Sequence, residues 1–187
     1  GQSRYTTARK EGDLVEILSG VFEGRTTGTP ISLMVRNTDQ RSRDYGNIAC
    51  SYRPGHADYT FDRKYGFRDY RGGGRSSGRE TIGRVAAGAV AAKILESLGV
   101  TFCTYTKSIG PVEAKEFDKE EIIRNAFYMP DKNAAGEAGI YLEKCMKDQD
   151  SAGGVIECRI QGVPAGLGSP VFEKLDAVLA QAVMSIG

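Results

Sequence analysis

Histidine occurs once in these 187 residues, at position 56, so only one side chain has an ordinary pKa that puts its proton exchange near neutral pH. Cysteine is sparse in another sense. Cys50, Cys103, Cys145 and Cys158 lie so far apart that no pair has the close spacing of a structural zinc site or a redox dithiol, and a reduced, cytosolic setting fits them. No apolar run approaches the roughly 20 residues that a membrane-spanning helix needs, and no charged-then-apolar secretory signal opens the chain. Excess charge is lacking too. The net charge of +1 gives no general reason to expect a nucleic acid or another polyanion as partner. An initiator methionine is missing at Gly1, as expected of a fragment from a longer chain.

With 40% hydrophobic and 26% charged residues, residues 1–187 can bury a core and read as a single globular domain, with two small lobes as the alternative. The charge is nevertheless uneven. Between Arg53 and Arg84 there are eight basic residues against four acidic ones, which focuses positive potential on one segment of a nearly neutral chain.

The alternation of Ile31, Leu33 and Val35 marks a strand over 29–36 with one buried face, and 14–20 reads as its partner across a glycine-bearing turn. From Asn37 to Gly74 neither period is present. A segment that long without an element is usually functional or disordered, and its seven aromatics argue for an ordered binding loop. A helix is predicted over 77–98, with Ile82, Val85, Ala86, Ala89, Val90, Ile94 and Leu95 as an apolar stripe. Its alanines suggest close packing against another element. Strands are predicted over 100–107 and 155–161, and helical segments over 119–125 and 133–147. A final helix is placed over 170–185, with Ser169 as N-cap and Pro170 as first residue. Paired strands followed by alternating helices favour an α+β fold.

Chemistry concentrates in Arg53-Pro-Gly-His-Ala-Asp-Tyr-Thr60 and Arg71-Gly-Gly-Gly-Arg-Ser-Ser-Gly-Arg-Glu-Thr81. A glycine triplet lets backbone approach a ligand, and the helix beginning after it offers N–H groups and a positive dipole end. Ser76 and Ser77 add hydroxyls, and Arg75 and Arg79 add bidentate donors suited to phosphate or carboxylate. The bland alternative is a flexible turn with solvated arginines and Ser77 as an ordinary N-cap. His56 has the same two readings, an ordinary surface or core histidine or a proton tuned by neighbouring cations and anionic ligands. Gly74-Arg-Ser-Ser-Gly78 matches the nucleophile elbow of serine hydrolases, but no buried strand precedes it and the histidine falls before the serine, reversing that fold's order. The glycine spacing does not make a dinucleotide fingerprint. A nucleic-acid module could stack bases on the tyrosines, yet interspersed acids and a missing binding-fold motif speak against it.

The two segments above, with Lys64-Tyr-Gly-Phe-Arg-Asp-Tyr70 and Arg84-Val-Ala-Ala-Gly-Ala89, resemble the signature segments of the chorismate synthase family. Gly1-Gln-Ser-Arg-Tyr-Thr-Thr7, Val15-Glu-Ile-Leu-Ser-Gly20, Asn37-Thr-Asp-Gln-Arg-Ser42 and Gly162-Val-Pro-Ala-Gly-Leu-Gly168 extend the likeness along the chain in the family's order. The resemblance implies a β-α-β sandwich with helices between antiparallel sheets, a cytoplasmic homotetramer, and a lyase reaction of the shikimate pathway. In that reaction phosphate and a C6 hydrogen leave 5-enolpyruvylshikimate 3-phosphate in 1,4-anti fashion to give chorismate. It needs reduced FMN without net redox change, with NADPH as a source of reducing power. By the same resemblance His56 is the catalytic histidine beside the flavin, and Arg75, Ser76 and Ser77 bind the flavin. Arg4 contacts reduced nicotinamide or substrate, and Arg53 and Arg79 hold substrate phosphate and carboxylates. The family's chain is longer at both ends, with a second active-site histidine before this segment and further flavin contacts after it. These 187 residues therefore read as its central fragment, with little or no turnover expected from them alone; an inactive structural fragment is the competing reading.

Overall fold

The computed structural model describes residues 3–6, 12–37, 49–74 and 77–186. They fall into two compact units, one drawn from 1–9 and 95–163, the other from 10–94 and 164–187. All sheets among the described residues are antiparallel, and helices are interleaved with the strands along the chain, an α+β arrangement. No described helix is long and apolar enough to cross a membrane.

The core lies in the first unit. Strand β5 (Thr101–Ile109) pairs with β6 (Val112–Glu113) on one side and with β7 (Gly154–Gln161) on the other, giving the order β6-β5-β7. Helix α3 (Lys132–Lys147) contributes Ala134, Ala135 and Ala138 to a buried cluster around Met129, against which Ile109, Val112, Ala114 and Phe127 pack. Burying a side chain such as Met129 is worth about 1.5–3 kcal/mol. Small residues on this face let neighbours come close: a Cβ on Gly139 would meet the Tyr5 hydroxyl at 3.3 Å and the Phe127 ring at 3.6 Å.

One carboxylate organises the start of α3. Oδ1 of Asp131 accepts from the N–H groups of Asn133 (2.9 Å) and Ala134 (3.1 Å), capping the helix. Its Oδ2 accepts from those of Lys115 (3.0 Å) and Glu116 (3.1 Å). These bonds, the one from Ala134 foremost, hold the Asp131 carboxyl below the usual carboxylate range.

Helix formation over 119–125 contracts to one 3₁₀ turn at Glu121–Ile123. Asn125 explains the stop. Its amide nitrogen donates to the carbonyls of Glu121 (2.9 Å) and Met129 (2.8 Å), and its oxygen accepts from the N–H groups of Phe127 and Met129, so the side chain offers the backbone an alternative to continuing the helix.

In the second unit β1 (Val15–Ser19) pairs with β4 (Ser32–Val35), and the expected turn between them holds a small hairpin, β2 (Val21–Phe22) with β3 (Arg25–Thr26). Leu33 and Val35 are half-buried, but so is Met34 between them, so the single buried face expected from the alternation is not seen. The segment read as a loop contains a short helix, α1 (Asp58–Tyr65). Helix α2 (Thr81–Ser97) follows a 3₁₀ turn at Gly78–Glu80 capped by Ser77. None of its side chains is buried; Val85 is 67% and Ile94 60% exposed. The close packing expected of its alanines is absent among the described residues. The last helix, α4, begins at Leu175 rather than Pro170 and runs to Met184. Ser169 does not cap it, because its N–H donates to the carbonyl of Glu173 (2.7 Å) and closes a bridged loop ahead of the helix.

Candidate functional site

His56 sits in a loop that its neighbours close. The Arg53 guanidinium meets the Asp58 carboxylate as a fork, Nε to Oδ2 and Nη2 to Oδ1 at 2.9 Å each, and the Arg53 backbone N–H adds a third bond to Oδ2 at 3.0 Å. Asp58 opens α1 and is 4% exposed. Its side-chain bond from Arg53, helped by the backbone N–H and outweighing the cost of burial, holds its carboxyl far below the usual carboxylate range. Residues 54–57 are thereby confined between the two ends of a charge-assisted staple. The His56 N–H donates back to the Arg53 carbonyl (3.3 Å) within the same turn.

The imidazole is exposed, and its Nδ1 lies 3.0 Å from the Pro54 carbonyl oxygen. A carbonyl can only accept, so Nδ1 carries the proton and Nε2 is the nitrogen available to take or give one.

Arg68 secures the flank of this loop. It donates to the carbonyls of Ala49 (3.1 Å) and Ser51 (2.7 Å), pairs with Asp62 at 3.6 Å, and lies over the Tyr52 ring. Part of the basic excess read from the sequence is thus structural.

The second cluster stands at the entry to α2. The Ser77 hydroxyl oxygen accepts from the Arg79 N–H (3.3 Å), and Arg79 reaches Asp13 at 3.3 Å. Arg79, Asp13 and Thr81 stand with Val15, Ile82 and Val85 around a hollow of about 480 Å³, and a second hollow of about 380 Å³ lies beside Gly73 and Gly74, walled by Phe61, Tyr65 and Phe67. The glycine turn has φ values of 151°, 86° and 50° at Gly72, Gly73 and Gly74, all three in the positive-φ region that L side chains rarely adopt.

The predicted site residues are therefore distributed. Arg53 and His56 share one closed loop, and Ser77 and Arg79 share one capped turn. Arg75 and Ser76 lie outside the described residues. Arg4 belongs to the other unit, where it pairs with Glu143 and lies 4.9 Å from the centre of the Tyr5 ring. Sequence reasoning missed Asp58 and Asp13, the carboxylates that hold Arg53 and Arg79. The signal for Asp58 was its spacing, five residues after Arg53 at the start of a helix, where an acid is favoured by the dipole.

Comparison with known proteins adds a second line of observation. The family model described as chorismate synthase matches residues 1–187. The chain is 67% identical over 189 aligned residues to the chorismate synthase of Agathobacter rectalis, and 55% identical over 186 to that of Chloroflexus aurantiacus. It is fully covered in both and spans about half the length of the curated relatives it matches, 52% and 51%. A solved crystal structure of chorismate synthase superimposes with a TM-score of 0.74 at 33% identity, covering 93% of this chain and 53% of that one.

Proposed function

The chain belongs to the chorismate synthase family, and on that premise we propose that it supplies the proton-handling and anion-holding part of a lyase site. The reaction is the 1,4-anti elimination of phosphate from 5-enolpyruvylshikimate 3-phosphate to give chorismate. The observation that carries this reading is the position of His56, whose Nδ1 faces the Pro54 carbonyl oxygen at 3.0 Å in a loop stapled by Arg53 and Asp58, which leaves Nε2 as the nitrogen not engaged by that carbonyl. Phosphate leaves readily only when its developing charge is stabilised by preorganised donors. Arg79 and Arg53 are the side chains we assign to the substrate's phosphate and carboxylates, Arg53 also positioning His56.

Reduced FMN, the group the family implies, would be held by Ser77 with its sequence neighbours Arg75 and Ser76. The residues present fit it. Ser77 accepts a hydrogen bond from Arg79 and keeps its own O–H to donate to phosphate, while aromatic walls beside the glycine turn suit a planar ring. When bound, the flavin supplies electron density transiently. The same reading makes the enzyme a cytoplasmic homotetramer, with Arg4 toward NADPH or substrate and residues 1–187 acting as one domain of the longer chain.

The test is chorismate formation with reduced FMN by a polypeptide that carries this sequence at the family's full length. His56→Ala should lower kcat by about 10²- to 10⁴-fold, the usual worth of general acid–base catalysis. Unchanged turnover in that variant would remove His56 from the chemistry.

A further inference from the structure

Residues 3–6 fold into a turn closed by its own hydroxyls. The Ser3 N–H donates to the Thr6 hydroxyl oxygen (3.1 Å), the Thr6 hydroxyl donates to the Ser3 carbonyl (3.0 Å), and the Tyr5 N–H donates to the Ser3 hydroxyl oxygen (3.2 Å). Both central residues of that turn reach α3. The Tyr5 ring lies 5.0 Å, centre to centre, from that of Phe127, which packs against the Met129 cluster, so the turn is moored to the core of its unit. The bare backbone at Gly139 leaves room for the Tyr5 hydroxyl, and Glu143, four residues further along α3, projects from the same face of the helix.

Glu143 gathers the two side chains. Its Oε1 accepts from the Tyr5 hydroxyl (3.2 Å) and from Nη2 of Arg4, and the Tyr5 hydroxyl oxygen accepts from that same Nη2 (2.7 Å). The contacts thus fall on one nitrogen of the guanidinium. The N–H groups of its Nε and Nη1 have no partner among the described residues. Stability does not explain the arrangement, because the side chains of Arg4 and Glu143 are 68% and 41% exposed and exposed ion pairs contribute little. Ligand binding does explain it. A guanidinium fixed at one nitrogen and open at the others meets an anion without first losing its own rotamer freedom.

We propose that Glu143 and Tyr5 are positioning residues for Arg4, presetting its guanidinium so that Nε and Nη1 receive a phosphate group of the ligand. This role rests on the reading of Arg4 as a contact to NADPH or substrate, both of which carry phosphate. Glu143 acts here against its own charge, since a carboxylate beside the site repels a phosphate while it orders the side chain that binds it. The sign of its effect on binding therefore separates positioning from plain electrostatics.

The test uses a polypeptide that carries this sequence at the family's full length. KM for 5-enolpyruvylshikimate 3-phosphate is measured with FMN reduced chemically under anaerobic conditions, and KM for NADPH in the reduction of FMN by the same protein; where NADPH does not reduce the flavin, the substrate alone decides. The ligand whose KM rises in Arg4→Ala, by about ten- to hundredfold, is the one that Arg4 holds. Glu143→Ala should raise that same KM by about two- to tenfold, the cost of freezing one long side chain on binding, and leave kcat within about twofold. Loss of a repelling charge alone would lower KM instead. Glu143→Gln, which keeps an acceptor oxygen, should fall between wild type and Glu143→Ala, and Tyr5→Phe, which keeps the ring on Phe127, should also raise KM. In the Arg4→Ala background Glu143→Ala should add nothing, because its effect runs through Arg4. Unchanged KM for both ligands in Arg4→Ala would refute the reading of Arg4, and this role with it. A raised KM in Arg4→Ala beside an unchanged or lowered one in Glu143→Ala would refute the positioning role alone, as would a further loss from Glu143→Ala once Arg4 is gone. An unaltered kcat in the Glu143 and Tyr5 variants shows that they fold.

Discussion

Replacing Asp58 with asparagine tests whether the ion pair with Arg53 holds His56 in place. The carboxylate accepts three hydrogen bonds, all from Arg53, at 2.9–3.0 Å. An amide keeps one oxygen and turns an NH₂ group against the other donors, so one or two bonds become donor-to-donor contacts. Breaking a buried pair costs about 3–5 kcal/mol. The Arg53 side chain is 21% exposed and keeps some water, so the lower part of that range applies and about 3 kcal/mol is expected from urea denaturation. Because the folded pKa of Asp58 lies below its unfolded value, the wild-type contribution is complete above the ordinary carboxylate range and is lost as pH falls through the folded value. Between pH 5 and 8 the difference between Asp58 and its asparagine variant should therefore be flat.

The structural consequence can be read at a single nucleus. With only one histidine in the chain, the two imidazole nitrogens give an unambiguous ¹⁵N spectrum, and in the wild-type protein the neutral ring should carry its proton on Nδ1. In Asp58→Asn the loop opens, the bond to the Pro54 carbonyl weakens, and the proton should move toward Nε2. A variant that keeps both the Nδ1 proton and wild-type stability would refute the staple.

Asp131→Ala removes an acceptor from four backbone N–H groups, two of them at the cap of α3, and should cost about 2–4 kcal/mol in urea denaturation. Its folded pKa is lowered, so the contribution is present above the ordinary carboxylate range, is lost as pH falls through the folded value, and the gap between wild type and variant should narrow in acid. Amide hydrogen exchange should show its slowest sites in β5 and α3, and fast exchange in β1, β4 and α4; equal protection in both units would contradict the placement of the core.

Strands and long helices were legible because their periods reflect burial along the chain itself. The pairing of β1 with β4 was expected from two strand-like segments joined by a glycine-bearing turn, and α3 was expected over 133–147, close to its observed Lys132–Lys147. Helix α1 was not legible, because eight residues make only two turns and its stability comes from the Arg53 fork on Asp58 rather than from an apolar stripe. The stop at Asn125 and the late start at Leu175 were hidden for the same reason: each depends on one side chain or one backbone bridge, which periodicity does not register. At the site, the residue types announced anion and proton chemistry near His56, Ser77 and Arg79. What they could not announce was that Arg79 is held by Asp13, since opposite charges so far apart in sequence carry no sign of meeting; Asp58, five residues after Arg53, carried a signal of spacing that went unused.

Among the described residues the buried apolar side chains, Val100, Tyr105, Ile122, Met129 and the alanines of α3 among them, all belong to the first unit, whereas His56, Ser77 and Arg79 belong to the second. Order near His56 therefore rests on an ion pair and backbone hydrogen bonds, which close a short loop without a core beneath it. Such order fixes a tautomer. It does not exclude water, and the electrostatic stabilisation of a departing phosphate is strong only in a site from which water is excluded. Helix α2 is rich in alanine and other apolar residues, with Arg84, Lys93 and Glu96 as its charges, yet none of its side chains is buried. In a chain that spans about half the length of its relatives, the local order of the loop is set by residues 53–58, and the proposed elimination is a separate requirement, tested at the family's full length.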